Sequence, residues 1–412
     1  MERKCPPTNP VEPTSMLTNE IYIKWRQFVD CSPALADRFN SMKTKSFSRV
    51  VIGAGIFGMF ASIVLAKKGH TVLLLDQDSQ VMSRASSVNQ ARLHTGLHYP
   101  RSFVTAVESL ANQNKFLDRF PDSVRNFRQV YAISKNSSKT NGTDFRNFIE
   151  RLGVAYKEID HDKYFNAGTV THAFEVNEPT FDATALSIQL TEELNNYTSV
   201  QLRINTAFIA GEQREQSWIL NLSDDTCVET DGIVIAGYAS TNGIRKSLGL
   251  SLLPLNFEIA EVILGNVTED MKDLGFTVMD GPFWSLMPFG NSNLASLTNV
   301  GLTPLRRATL LPIFDCQSKR QSCSYSQLAN CSTCAVRPNS GVSHQMQQMS
   351  FFIRNKHFFT PFKSLLTIKT VLSSTDVDDA RPTLIQKDHE YNVWTLISGK
   401  ISTLFDLERD LN

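Results

Sequence analysis

The most constraining feature of the chain is a glycine turn between a buried strand and a helix. Residues 49–52 read Arg-Val-Val-Ile, an apolar β-branched run typical of a strand inside a parallel sheet. Gly53, Gly55 and Gly58 follow with the spacing G-x-G-x-x-G. In this motif the first glycine makes a tight turn, the second lets a pyrophosphate approach the backbone, and the third lets the helix pack on the sheet. The turn therefore predicts a dinucleotide site.

The elements after the turn agree with this motif. A helix is predicted to begin at Ile56, and its end carries two lysines and then Gly69, as helix ends commonly do. A second apolar strand ends in Asp76, at the position about 20 residues after the glycines where a carboxylate accepts hydrogen bonds from a ribose. A glycine-rich turn in an ordinary α/β domain is the alternative, but it would need none of these neighbours.

Composition excludes several classes of protein. The 412 residues include 41 Lys and Arg against 41 Asp and Glu, so no excess charge attracts the chain to nucleic acid or to an anionic membrane. No apolar run approaches the ~18–20 residues that span a bilayer, and the N-terminus lacks the apolar core of a secretory signal. Seven cysteines form an odd set without a disulfide framework, which is typical of reducing compartments. We therefore expect a globular, cytoplasmic protein.

A polar loop follows the predicted ribose acid. Residues 86–101 read SSVNQARLHTGLHYPR, which is too polar and irregular for a core element. Here the sequence resembles the D-amino-acid-oxidase-like superfamily of FAD-dependent oxidoreductases, in which a loop with a Ser/Asn pair, a His-x-Gly and often a Tyr lies along the flavin. The matching residues are Ser87, Asn89, His94, Gly96 and Tyr99. The resemblance implies FAD as the cofactor.

Two later segments extend the resemblance. Residues 232–237 form an apolar strand that ends in Ala236 and Gly237, where the family's backbone runs against the cofactor; a plain buried strand ending at a glycine is the alternative. Near the C-terminus, Gly399 and Lys400 open the last predicted helix, and a helix N-terminus suits an anion or a carbonyl oxygen. The implied cofactor contacts are Gly53, Gly55, Ile56, Phe57, Gly58, Asp76, Gln77, Ser87, Asn89, Arg92, Leu93, Ala236, Gly237, Gly399, Lys400 and Ile401.

The pattern of elements and the resemblance together predict an α/β fold. A Rossmann-like FAD-binding domain, a parallel sheet with helices on both faces, would be interleaved with a mainly antiparallel α+β substrate domain. Within the substrate domain, residues 346–359 are expected to form one helix. The predicted segments are a disordered tail 1–19, docking helices 20–47, an FAD-binding domain of 48–102, 177–245 and 376–412, and a substrate or cap domain of 103–176 and 246–375.

An arginine near the C-terminus is the candidate substrate anchor. Arg381 stands in the segment Asp-Asp-Ala-Arg-Pro. In the resembled family an arginine here binds the anionic group of the substrate, and a guanidinium offers two parallel donors to a carboxylate or phosphate. An ion pair with Asp378 or Asp379 is the structural alternative.

The flavin loop supplies the other candidate catalytic residues. His94 or His98 would accept the proton of the substrate. Tyr99 and Arg101 would line the pocket entrance, and Lys400 would tune the flavin. A hydroxyl needs a base to lose its proton near neutral pH, whereas an amine can bind already neutral. The two histidines therefore favour a 2-hydroxy acid or polyol phosphate over an amino acid, with a structural role for either histidine as the alternative.

Four cysteines crowd into a Ser-, Gln- and Asn-rich insertion at about 312–341. They are Cys316, Cys323, Cys331 and Cys334. The last two have the spacing of a zinc knuckle, but six residues separate the first two, more than the usual two to four. A surface insertion with free thiols is the preferred interpretation, and structural zinc is the alternative.

The predicted function is FAD-dependent oxidation of a small anionic substrate. A 2-hydroxy acid, a polyol phosphate or an amino acid would give a hydride to the flavin N5, and an unidentified acceptor would reoxidise the flavin. A flavin-dependent sugar mutase or isomerase without net redox, and a non-catalytic dinucleotide-binding scaffold, are the alternatives. The substrate, the acceptor, covalent attachment of FAD and the oligomeric state cannot be read from the sequence.

Overall fold

The computed structural model describes residues 45–279, 284–373 and 383–411. The chain divides into two units, Met1–Ser46 and Phe47–Asn412, and the second holds the elements discussed below apart from the first two residues of β1. The predicted tail, nearly all of the docking segment 20–47 and Arg381 lie outside the described residues.

Strands predominate in the described part of the chain. The strands are β1 Lys45–Phe47, β2 Arg49–Ile52, β3 Val72–Leu75, β4 Val124–Ser134, β5 Tyr156–Ile159, β6 Val170–Phe181, β7 Val200–Arg203, β8 Phe208–Gln213, β9 Trp218–Leu222, β10 Cys227–Thr230, β11 Ile233–Ile235, β12 Leu255–Val267, β13 Leu274–Met279, β14 Trp284–Pro288, β15 Leu294–Asn299, β16 Pro304–Thr309, β17 Phe359–Leu372, β18 Leu384–Asp388 and β19 Val393–Ile397. The helices are α1 Ile56–Lys67, α2 Phe103–Arg119, α3 Gly142–Leu152, α4 Ala183–Asn195, α5 Thr241–Ser247, α6 Val342–Phe352 and α7 Asp406–Asp410.

A mostly parallel sheet carries the glycine turn. Its order is β18-β19-β11-β2-β3-β7, and all neighbours from β19 to β7 run parallel, whereas β18 is antiparallel to β19. Strands β3 and β11 are apolar throughout and fully buried, as expected where elements cover both faces. The predicted Rossmann-like sheet is confirmed.

Two different layers cover this sheet. On one face α1 packs with α4, whose Leu186, Leu190 and Leu194 recur every four residues and so share one side of the helix. Each such buried leucine contributes about 1.5–3 kcal/mol of hydrophobic stabilisation. On the other face α5 packs beside the antiparallel meander β8-β9-β10, in which Trp218, Leu220 and Leu222 alternate inward along β9.

The second sheet is mainly antiparallel, as predicted. Its order is β16-β12-β15-β14-β13-β4-β6-β5, with β17 paired along the length of β12, and the pair β13-β4 is parallel. The strands of the parallel sheet fall in the segments predicted for the FAD-binding domain. Those of the second sheet fall in the segments predicted for the substrate domain, except that β6 continues past residue 176 to Phe181. The division into those domains stays a prediction.

Two helix predictions in the C-terminal third are wrong. The helix expected over 346–359 is α6, which ends where Ile353 turns to extended backbone and bridges to Phe165; a 3-10 turn, Lys356–Phe358, follows. The segment after Gly399 forms a 3-10 turn, Ile401–Thr403, before the five-residue α7. Both errors come from local hydrogen bonding that an apolar pattern does not encode.

Within the described ranges, none of the helices combines the length and the apolar character needed to cross a bilayer.

Candidate functional site

The glycine turn leaves no room for side chains. Gly53 has φ of +108°, and a Cβ there would lie 2.6 Å from the Ala236 carbonyl oxygen. A Cβ on Gly58 would lie 1.8 Å from the Gly53 carbonyl oxygen. The first glycine therefore sits against the end of β11, and the third lets α1 start directly on the turn. These are the close approaches that a dinucleotide-binding turn requires.

Asp76 is fixed beside this turn by backbone donors. Its Oδ2 accepts from the Ala54 N–H at 2.7 Å, and its Oδ1 accepts from the Asp78 N–H at 2.8 Å. Burial raises the pKa of Asp76, although the two backbone hydrogen bonds oppose the shift. The carboxylate thus ties the end of β3 to the turn at the position predicted for a ribose acid.

The first serine of the polar loop, which sequence reasoning missed, is the one that faces the turn. Ser86 Oγ accepts from the Ile56 N–H at 3.0 Å, at the start of α1. The hydroxyl of Ser87 instead donates to the Met82 carbonyl, and the Asn89 amide binds carbonyls of its own loop. Two adjacent serines gave no sequence signal to separate them. The predicted Ser87 and Asn89 shape the loop through their side chains.

A cavity opens in front of the turn. Its walls include Gly53 and Gly55 after β2, Asp76 and Gln77 after β3, and Ser86 of the polar loop. Further wall residues are Thr206, Ala236, Gly237, Ser326 and Cys331. Ile56 and Phe57 follow at the start of α1.

Two side-chain-bearing residues of the cavity wall hold left-handed backbone conformations. Met82 has φ of 55° and Tyr238 has φ of 48°. Such conformations cost about 1–3 kcal/mol and cluster at functional sites. The turn, the amides at the N-terminus of α1 and the buried carboxylate together fit the diphosphate and a ribose of FAD.

A buried polar chain lies under the histidines of the loop. The rings of His94 and His98 have centroids 4.7 Å apart. His98 Nδ1 is 2.9 Å from Tyr131 Oη, which donates to the Glu178 carboxylate at 2.8 Å. Arg92 Nη1 binds both Glu178 and the Tyr131 oxygen. The sequence did not indicate Tyr131 or Glu178, because strands β4 and β6 bring them in from distant positions.

Arg92 is therefore occupied by protein partners. Its other terminal nitrogen donates to Thr277 Oγ1 at 3.0 Å and Ser285 Oγ at 2.7 Å. Burial lowers the pKa of Arg92, but the charges and hydrogen bonds of Glu178 and Tyr131 together outweigh burial, and the net shift is upward. Both terminal nitrogens of the guanidinium therefore bind protein groups, and the predicted contact of Arg92 with the cofactor stays a prediction.

The charge state of Tyr131 is also set by this chain. Burial, followed by the negative charge of Glu178, holds the pKa of the Tyr131 hydroxyl well above its ordinary value. Tyr131 is therefore a neutral phenol at physiological pH. Its hydroxyl has one hydrogen atom, which it donates in a hydrogen bond to the Glu178 carboxylate.

The remaining predicted flavin residues gather near the histidines. Lys400 Nζ lies 4.4 Å from the centre of the Tyr99 ring, and His94 lies 5.7 Å from the same ring. A small second cavity is lined by Leu93, His94, Lys400 and Ile401. The structure thus brings His94, His98, Tyr99 and Lys400 together, apart from the cavity of the glycine turn. Arg101 is exposed, and a Cβ on Gly399 would meet nothing within 4 Å.

The four cysteines of the insertion are free thiols. Among the described residues, no three of these cysteines bring their sulfur atoms within 4.8 Å of one another. His94, His98 and Glu178 do meet that spacing, but Glu178 is already bound by Arg92, Tyr131 and Thr95. Structural zinc therefore stays the alternative interpretation of the four cysteines.

Comparisons with known proteins identify the family of the chain. The sequence profile of the family described as FAD dependent oxidoreductase matches residues 49–278, more than half of the chain. The FAD-dependent monooxygenase FPY4 of Fusarium mangiferae is 29% identical over 109 residues, covering 26% of this chain and 30% of that protein. The FAD-dependent monooxygenase kojA of Aspergillus flavus is 26% identical over 265 residues, covering 59% of this chain and 58% of that protein.

The chain spans less than two thirds of the length of either relative. Among solved structures, the crystal structure of glycine oxidase from Geobacillus kaustophilus has a TM-score of 0.66 at 13% identity, covering 89% of this chain and 94% of that one. At that identity the likeness shows a shared fold. The profile match and the fold together place the chain in the FAD dependent oxidoreductase family, with FAD as its cofactor.

Proposed function

We propose that the protein oxidises a small anionic substrate at a carbon bearing a hydroxyl or an amine. The observation that carries the proposal is the buried chain Arg92–Glu178–Tyr131–His98, which ends at a histidine of the flavin loop. FAD, when bound, supplies the acceptor for the hydride of the oxidised C–H bond. The protein must supply the base and the substrate anchor.

The chain of hydrogen bonds fixes which nitrogen of His98 is basic. Glu178 is paired with Arg92 and accepts the single proton of Tyr131. Tyr131 Oη must then accept from its other neighbours, so His98 Nδ1 carries a proton. In that tautomer the lone pair of the ring lies on Nε2, which is the nitrogen that can accept a proton.

The same chain stabilises the cation that forms. When Nε2 gains a proton, the Nδ1–H bond to Tyr131 remains in place, and Tyr131 stays bonded to the Glu178 carboxylate. This arrangement positions a general base, which typically contributes 10²–10⁴-fold to a rate. His94 is the second candidate for that role, because its ring is next to His98.

The other roles follow the sequence predictions. Arg381 would bind the substrate anion, Tyr99 and Arg101 would line the entrance, and Lys400 would hold negative charge on the flavin. The cation of Lys400 over the Tyr99 ring supports a shared wall for these two residues. The proposed cofactor contacts are those named from the sequence, with Ser86 added.

The presence of a general base suggests which class of substrate donates the hydride. A hydroxyl donor needs a base near neutral pH, so the His98 chain favours a 2-hydroxy acid or polyol phosphate. An amino acid is the alternative donor, supported by the shared fold with a glycine oxidase. The relatives named monooxygenases support a second candidate, hydroxylation that consumes O₂ and an external reductant.

Anaerobic mixing separates these functions. The purified holoprotein would be mixed without oxygen with a panel of 2-hydroxy acids, polyol phosphates and amino acids, and the flavin absorbance followed. We expect one class to bleach the flavin band stoichiometrically. Bleaching by none of them, with reduction only by a nicotinamide nucleotide, would favour the monooxygenase instead. A mutase would need a flavin that is already reduced and would return an isomer, and a scaffold would show neither reaction.

A further inference from the structure

The cysteine-rich insertion crosses the front of the cofactor cavity. Ser326, Leu328, Asn330 and Cys331 belong to the insertion, and they line the same cavity as the glycine turn. Leu328 is only 2% exposed. We refer to residues 325–332 as the clasp. A segment predicted as a free surface insertion is thus a wall of the dinucleotide site.

On one side the clasp is bonded to the loop after β3. Gln77 Nε2 donates to the Leu328 carbonyl at 3.2 Å. Asn330 Nδ2 donates to the Ser83 carbonyl at 3.2 Å, and its Oδ1 accepts from the Ser332 N–H at 3.0 Å. The clasp is therefore attached directly beside Asp76, the predicted ribose acid.

On the other side the clasp packs against α5 and is hydrogen-bonded to β17. A Cβ on Gly243 of α5 would lie 2.3 Å from the Tyr325 carbonyl oxygen, and Lys246 Nζ lies 4.7 Å from the centre of the Tyr325 ring. Ser332 Oγ donates to the Leu366 carbonyl at 2.8 Å and accepts from the Leu366 N–H at 2.9 Å. The clasp thus spans the cavity from α5 and β17 to the β3 loop.

Cys331 is the residue of the clasp that brings a thiol to the cavity wall. Burial, with the neighbouring thiols, raises the pKa of Cys331 to about 12. The thiol is therefore neutral near pH 7, and it adds no charge to this wall of the cavity. Leu328 and Ile368 offer apolar surface in the same cavity.

We propose that the clasp binds the adenosine half of FAD and slows its release, with Asn330 as the residue that holds the clasp in its bound position. The adenosine half is indicated because the clasp is attached next to Asp76, whereas the histidine cluster lies outside the lining of this cavity. The inference rests on the proposed placement of the ribose at Asp76. It assigns a cofactor role to residues of the insertion.

The test compares the two halves of the cofactor. Asn330→Ala removes both hydrogen bonds of that side chain. The bond to Ser83 attaches the clasp to the β3 loop, and a neutral hydrogen bond contributes about 0.5–1.5 kcal/mol. We therefore expect FAD and ADP to bind about 2-fold to 13-fold more weakly, and FMN to be unaffected. Asn141→Ala is the matched control, since Asn141 caps α3 through the Asp144 N–H, away from the cavity. Titration of the deflavinated protein by fluorescence and calorimetry measures each Kd.

Amide hydrogen exchange of the unaltered protein gives a readout that needs no variant. We expect exchange over 325–332 to slow when FAD or ADP binds. Unchanged FAD affinity in Asn330→Ala, or exchange over 325–332 that is the same with and without FAD, would overturn the clasp while leaving the proposed function in place. Failure of the unaltered protein to bind FAD or ADP would overturn both.

Discussion

Replacing Gly58 by alanine tests the glycine turn most sharply. The added Cβ would lie 1.8 Å from the Gly53 carbonyl oxygen, about 1.2 Å inside the 3.0 Å below which such contacts essentially never occur. The carbonyl belongs to the backbone, so the turn or the whole of α1 must move. Overpacking of this kind costs about 1–3 kcal/mol of unfolding free energy.

The same movement displaces the amides proposed to hold the diphosphate. Each charge-assisted hydrogen bond that is lost costs about 1.5–3 kcal/mol, so we expect the Kd for FAD to rise by roughly 10–150-fold. Fluorescence titration of the deflavinated protein measures the affinity, and urea unfolding measures the stability.

Gly69→Ala is the control on the same helix. Gly69 follows the end of α1 with φ of +86°, and a Cβ there would meet nothing within 4 Å. Its left-handed backbone alone should cost about 1 kcal/mol of stability. We expect Gly69→Ala to lose stability but bind FAD normally. A Gly58→Ala protein that binds FAD as tightly as the unaltered protein would refute the reasoning.

Three further predictions concern the buried groups. Tyr131→Phe leaves Glu178 and His98 without their shared partner and should lower the free energy of unfolding by about 1–3 kcal/mol in urea titrations, without changing the Kd for FAD. The folded protein raises the pKa of Asp76, so the stability that this group contributes is present at acidic pH and is lost as pH rises through the folded-state pKa. In the FAD-free protein, Asp76→Asn should therefore remove the part of the fall in stability with rising pH that Asp76 causes. Urea unfolding midpoints measured between about pH 3 and pH 7 test this. With a pKa of about 12, Cys331 should hold a thiolate fraction of about 10⁻⁴ at pH 8. Maleimide should therefore label Cys331 far more slowly in the folded, FAD-free protein than in the unfolded protein, as measured by peptide mass spectrometry.

The sequence predicted the parts of this protein that local patterns encode. The glycine spacing, the apolar strands around it and Asp76 are contiguous in the chain, and the structure places them together. The alternation of β9 and the leucine repeat of α4 likewise follow from residue periodicity.

What the sequence could not show is contact between distant segments. Tyr131 and Glu178 meet His98 only because β4 pairs with β6, and neither residue stands in a motif. The cysteine-rich insertion has the composition of a surface loop, yet Leu328 is buried at the cavity because Gln77 and Ser83 hold it there. The choice between Ser86 and Ser87 likewise depends on loop geometry.

The central claim is that His98 is the general base of the reaction, and the rate of flavin reduction tests this claim directly. The measurement is the rate of anaerobic flavin bleaching in a single turnover, with the best donor of the panel, for the unaltered protein and for His98→Asn. We predict a rate 10²–10⁴-fold lower in His98→Asn, with the Kd for FAD unchanged. A His98→Asn protein that bleaches its flavin at the unaltered rate would contradict the claim.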